Sequence, residues 1–427
     1  MSSSPFSIDN LPYGVVSTAD NPTPRCATAL ENDAVDLAAL ERDGYFKSVP
    51  GFENNVFSLP TLNTFAALSK TSQRQVRAIL KTTLSSSDFD ETARKKYAIP
   101  LKNVTNHYPM DTRNFSDFYC SLEHTKNCSE IMSAPVPQNW FIIPSVYNGR
   151  TSSLRISGTP IRRPNGVYSS RSLPSPLTPP STDNIPYRPS ARFDFELEIG
   201  IFLSRPLPPG EVLDIANAPD HIFGLVILND WSARDIQGFE MIPLGPFHGK
   251  GSGTSISPWI VSTDALAQST VARPAGKVQS PEPLEHLAWK GDREEECWDV
   301  ELRAWVVRNG HSYLVTETNL KELYWSPYQQ LAHLASAGEG LSTGDIFGTG
   351  TVTSNRLTPT GENIGIACLL ERNLPQNKLS ALSDAGIVYL EDGDEVVMEG
   401  WAVNRETGGR IGFGECRGAV LPALNVS

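Results

Sequence analysis

Residues 193–201 read Phe193-Asp194-Phe195-Glu196-Leu197-Glu198-Ile199-Gly200-Ile201. Side chains alternate across a strand, so the segment predicts a β-strand with Phe193, Phe195, Leu197, Ile199 and Ile201 on one face. Asp194, Glu196 and Glu198 share the other. Acidic residues are disfavoured in strands, and three carboxylates in a row repel unless something neutralises them. Two readings meet that demand: a solvated face, or a bound hard cation, because Mg2+ and Ca2+ take carboxylate oxygens. From Arg192 onward, period-two patterning with Gly, Asp and Pro punctuation predicts a large antiparallel β domain.

A second segment favours the cation. Ile222 to Leu228 predicts a buried strand running into Asn229-Asp230-Trp231-Ser232-Ala233-Arg234-Asp235-Ile236-Gln237. There Asp230 or Ser232 caps a helix, and Arg234 and Gln237 fall three apart on one face. A carboxylate at a strand end followed by a cation and an amide makes a ligand-facing corner; a capped surface helix is the plainer alternative. Downstream, Gly245 to Thr254 superficially resembles a phosphate loop, but Gly251 follows Lys250 where Ser or Thr is required. Its glycines instead let backbone approach a ligand, with Lys250 as the electrophilic contact, or form a turn with a solvated lysine. Upstream, a helix over Asn114–His124 places Asp117, Ser121 and His124 on one face, so a metal carboxylate and a proton acceptor share a site.

A length of 427 residues implies two domains, divided near residue 110. Residues 1–110 read as a small β-rich domain with a polar helix over Ser69–Lys81, and 111–427 as the larger catalytic domain. Six prolines between Ser169 and Ser190 predict a surface excursion. Asp392-Gly393, between Ile387–Leu390 and Glu395–Met398, predicts a hairpin. With 36 Lys and Arg against 48 Asp and Glu, the formal charge of −12 at pH 7 excludes a nucleic-acid footprint. The first residues have no secretory pattern, no apolar run has membrane length, and six cysteines lack zinc spacing. An intracellular protein with reduced thiols is expected.

Together these segments resemble the fumarylacetoacetase family over nearly the whole chain. Asn10 to Val15, Asn21 to Arg25, Ser157 to Pro164, Asn229 to Gln237, Pro243 to Phe247 and Ile256 to Trp259 carry the likeness. The resemblance implies a mainly β (α+β) chain: an SH3-like N-terminal barrel, then a C-terminal mixed β-sandwich roll, assembled as a cytoplasmic homodimer. It implies a metal-dependent hydrolase of tyrosine and phenylalanine catabolism that cleaves a 1,3-dicarbonyl acid such as fumarylacetoacetate. Asp117, Glu196, Glu198 and Asp230 match the ligands of Mg2+ or Ca2+, with Lys250 and Thr254 beside a second, magnesium-type position. His124 matches the general base and Glu371 its partner, while Arg234, Gln237 and Lys250 match the oxyanion-holding groups. Tyr119, Tyr147, Gln237, Met241 and Thr351 fall at substrate-contacting positions. Three places depart from the family: Ser133 in a region where an arginine is expected, Met241 for a tyrosine, and Asn148 in Tyr147-Asn148-Gly149-Arg150. They raise two alternatives, a same-fold enzyme acting on a different enolisable acid, and a non-catalytic ligand-binding paralogue.

Overall fold

The computed structural model describes residues 4–53, 55–169 and 185–425, so residues 170–184 of the predicted excursion lie outside the described residues. The architecture is mainly β, with short helices, and three sheets dominate it. Near the N-terminus, Tyr13–Thr18, Arg25–Leu30 and Asp33–Asp36 pair antiparallel, flanked by Val104–His107 and Ala98–Pro100. The helix expected over Ser69–Lys81 runs Lys70–Ser85, and Ser69 Oγ accepts the Ser72 N–H at 3.1 Å as its cap. Its Val76 and Leu80 are buried with Tyr13 and Phe65.

A mixed eight-stranded sheet forms the centre. Leu197–Leu203 and Ile222–Asp230 pair antiparallel in its middle; Phe115–Phe118 lies parallel to Ile346–Gly348, and Leu154–Ile156 to Thr254–Ile256. Ile199, Ile201, Leu225 and Ile227 pack on Leu302, Val306, Val396 and Met398 of a five-stranded sheet. On the opposite face, Phe202, Val226 and Leu228 meet Tyr13, Phe65 and Leu80. With both faces covered, every residue of the two central strands is buried.

That covering corrects the two-faced strand. Phe193–Asp194 pairs with Ser232–Ala233, the chain breaks at Phe195 and Glu196, and a new strand starts at Leu197. Asp194, Glu196 and Glu198 are all buried, which removes the solvated-face reading. Three further expectations change. Asp117 lies on the strand Phe115–Phe118, whereas His124 lies on the helix Leu122–Ile131 capped by Ser121, so no single helix face joins them. The helix Arg234–Glu240 starts after Ala233 without a side-chain cap; Ser232 Oγ donates to the Asp230 carbonyl instead, and Asp230 faces Lys250 and Thr254. The acidic turn at 391–394 exists, but Ile387–Leu390 is no hairpin strand. Leu390 forms a single bridge to Phe193, and Arg308 bonds Glu391, Asp394 and the Tyr389 carbonyl.

Candidate active site

The strand break delivers the carboxylates. Asp117 lies next to the end of one strand, Asp230 ends another, and Glu196 occupies the break between two more. Carboxylate oxygens of these three buried residues lie within 4.8 Å of one another. Glu198 joins them across Gly348, where a Cβ would stand 2.7 Å from Glu198 Oε2 and 2.9 Å from Asp117 Oδ1. Lys250, expected either at a ligand or in solvent, is buried; its Nζ bonds Glu196 and, at 2.6 Å, Asp230 Oδ2. Arg234 donates to Glu196 Oε1 at 2.6 Å and to Asp194 Oδ2 at 2.8 Å. Thr254 Oγ1 reaches Asp230 Oδ1 at 3.1 Å, and the Tyr147 hydroxyl lies 2.9 Å from Asp117 Oδ2 and 3.0 Å from Asp230 Oδ2.

Two protein cations do not balance so many buried anions. Burial and the neighbouring Asp230 push the Asp117 carboxyl well above its usual range. Burial and Asp117 do the same to Glu198. At Glu196 burial also pushes upward, but Lys250 and Arg234 outweigh it and hold that carboxyl low. Asp117 Oδ1 and Glu198 Oε1 are buried without a hydrogen-bond partner among the described residues. An oxygen-only donor set with two unengaged acceptors fits a hard divalent cation. Gly348→Ala is therefore expected to weaken Mg2+ binding at least about tenfold, read by calorimetry, because the added methyl enters the space between two donors. Unchanged affinity would remove Gly348 from the site.

A second centre adjoins the first. His124 Nδ1 stands 3.0 Å from Glu371 Oε1, with both side chains almost fully buried. Thr353 Oγ1 donates to Glu371 Oε2 at 2.7 Å, and Asn127 reaches Oε1 at 3.3 Å. Asp194 accepts the Leu369 and Leu370 N–H groups at 2.8 and 2.9 Å and so fixes the short helix carrying Glu371. Burial pushes the Glu371 carboxyl up, but the His124 charge outweighs it and holds the group below its usual range. Burial alone lowers His124; Cys128 and Glu371 override it and raise the imidazole well above its usual value. Also beside it are the Tyr119 ring, 5.0 Å away centre to centre, and the Cys128 sulfur at 3.7 Å from Nε2. One segment links the centres: Gly350 N–H donates to Glu198 Oε2 at 3.0 Å, and Thr353 holds Glu371. Buried Thr351 lies between them.

The other expected contacts gather nearby. Arg234 donates to the Gln237 side-chain carbonyl at 3.2 Å, so the helical spacing did place them together. Gly249 fits because a Cβ there would stand 2.6 Å from the Gln237 backbone, letting the Lys250 loop lie against that helix. A pocket of about 350 Å³ borders the carboxylates through Tyr147 and Lys250 and includes Arg150 and Phe247. Half-buried Met241 ends the helix and opens an exposed run containing Ile242, Leu244 and Phe247. Sequence reasoning missed Asn127, Gly348 and Thr353. It read Asp194 as one of the strand's carboxylates, whereas Asp194 organises Arg234 and the Glu371 helix. The one available signal was its place in the acidic run.

An oxygen-lined cation cradle beside a carboxylate-held imidazole, on a mixed β scaffold, is the layout of a cation-assisted hydrolase. Residues 9–109 match the family model described as fumarylacetoacetase N-terminal, and 113–421 that of fumarylacetoacetate (FAA) hydrolase C-terminal. The chain belongs to the fumarylacetoacetase family. It is 39% identical to the fumarylacetoacetase of Oryza sativa subsp. japonica, across 98% of this chain and 95% of that one. It is 38% identical to the fumarylacetoacetase of Homo sapiens, across 99% and 97%. A solved fumarylacetoacetate hydrolase from psychrophilic Exiguobacterium antarcticum shares the fold, with a TM-score of 0.51, 18% identity, and coverage of 96% of this chain and 99% of that one.

Proposed function

We propose that this protein hydrolyses fumarylacetoacetate to fumarate and acetoacetate by breaking a carbon–carbon bond. The observation that carries the reading is the His124–Glu371 pair set beside the Asp117, Glu196 and Asp230 cluster. Asp117, Glu196, Glu198 and Asp230 would hold the divalent cation, Mg2+ or Ca2+, with Lys250 and Thr254 flanking it. When bound, the cation supplies Lewis-acid polarisation of the substrate's dicarbonyl oxygens.

The chain's own residues do the rest. Neutral His124 takes a proton from water at Nε2, while Glu371 holds the Nδ1–H and stabilises the imidazolium that forms. The water oxygen adds to the carbonyl under attack. Arg234, whose Nη2 is buried without a partner among the described residues, stabilises the resulting oxyanion together with Gln237 and Lys250. The carbon–carbon bond then breaks, its electron pair leaves on the acetoacetate fragment as an enolate, and the imidazolium returns a proton to that carbon. Tyr119, Tyr147, Met241 and Thr351 border the substrate. The close full-length kinship favours fumarylacetoacetate over a different dicarbonyl acid, and the intact base pair disfavours a purely binding role. The N-terminal five-stranded sheet serves as an SH3-like barrel, and the protein works as a homodimer. Incubation with fumarylacetoacetate and Mg2+, following diketone absorbance and fumarate, tests the assignment. No cleavage by Mg2+-loaded protein would overturn it.

A further inference from the structure

The proton acceptor is surrounded by softer chemistry than the cation cradle. Cys368 Sγ lies 3.7 Å from Glu371 Oε2, and Glu371 Oε1 lies 3.0 Å from His124 Nδ1. One donor atom from each of His124, Cys368 and Glu371 falls within 4.8 Å of the others, and all three side chains are buried. A tetrahedral zinc ion, with bonds of about 2.0–2.3 Å, separates neighbouring nitrogen, sulfur and oxygen ligands by roughly 3.3–3.8 Å. The Cys368–Glu371 separation already lies in that range, and the three donors, all within 4.8 Å of one another, reach it with side-chain movement of up to about 1 Å. The charge also closes: a divalent cation, one thiolate, one carboxylate and a neutral imidazole sum to zero, which is the sum a buried pocket tolerates.

We propose that His124, Cys368 and Glu371 form a second metal site, for a thiophilic divalent cation such as Zn2+, distinct from the oxygen cradle, and that filling it shuts off the proton acceptor. Binding replaces the Cys368 thiol proton, which leaves to solvent, and takes the His124 Nδ1 lone pair, so the imidazole proton moves to Nε2 and that nitrogen can no longer accept one. Nitrogen and sulfur donors select against Mg2+, so the catalytic ion does not compete there. The inhibitory half rests on His124 being the base; the binding half does not.

The test uses full-length, Mg2+-loaded protein titrated with Cd2+, whose thiolate complexes absorb in the ultraviolet, and in parallel with Zn2+. One additional Cd2+ per chain is expected, with a thiolate charge-transfer band, and turnover should fall in step with it. Cys368→Ser should lose the band and raise the inhibitory metal concentration at least about tenfold. Cys128→Ser should keep the band, and melting curves of both variants verify their folding. Absence of the band, its persistence in Cys368→Ser, or relief of inhibition by excess Mg2+ would each overturn the proposal. A band in protein that cleaves no fumarylacetoacetate supports the metal site and refutes the assigned reaction alone.

Discussion

His124→Gln is expected to lower kcat about 10²–10⁴-fold, the usual contribution of a positioned general base, while Mg2+ affinity stays unchanged. The separation of effects follows from position: His124 bonds Glu371 through Nδ1, and neither is among the carboxylates of the cation cluster. Its acidity adds a pH signature. Because its folded environment raises the imidazole well above the usual value, the base is neutral only above that raised value. The kcat/KM of the unaltered protein should therefore fall as pH drops through it. Glu371→Gln removes one of the charges that raise His124, so the acidic limb should move to lower pH while kcat declines. An active His124→Gln variant would dismiss the base, and a fixed limb in Glu371→Gln would dismiss the electrostatic role of its partner.

Removing the divalent cation should produce the second large effect, on stability, and its sign reverses the usual carboxylate behaviour. Asp117 and Glu198 have folded-state pKa values raised by burial, that of Asp117 also by Asp230's charge and that of Glu198 also by Asp117's. Their contribution to stability is fully present below the ordinary carboxylate range and is lost as pH rises through the raised values. Chelator-treated protein should thus melt at progressively lower temperature from acidic toward neutral pH. Added Mg2+ should restore stability, by about 2.7 kcal/mol at a hundredfold excess over Kd. Glu198→Gln replaces one uncompensated charge and should flatten the pH slope while weakening the Mg2+ response. Differential scanning calorimetry checks both, and a chelated protein with an unaltered melting profile would count against a resident cation.

Much of the site was legible because short-range chemistry announced it. Acidic residues in an otherwise apolar strand pattern called for a neutralising partner, and buried Lys250, Arg234 and the unengaged oxygens supply that setting. Arg234 and Gln237 needed only helical spacing. His124 was expected to share a helix face with Asp117, whereas Asp117 lies on a strand and His124 on the capped helix that follows it. That arrangement depends on Phe115–Phe118 lying parallel to Ile346–Gly348, a pairing far beyond any local window. Glu371 was reached by resemblance alone, and the 3.0 Å contact now gives it a physical basis. The 387–398 hairpin failed because Arg308 and Phe193, both distant in sequence, compete for that turn and for Leu390.

The Tyr147 hydroxyl deserves a count of protons. It lies within hydrogen-bond reach of both Asp117 and Asp230, yet it owns one hydrogen and can donate to only one of them. The other contact is attractive only if that carboxyl oxygen carries a hydrogen of its own, and burial and Asp230's charge favour the protonated form at Asp117. Tyr147 thus bridges the two aspartates, with at least one of its contacts needing a carboxyl proton. Loading the cation is then an exchange, metal in and acid out, and an unbuffered solution of the protein should turn more acidic as the ion binds.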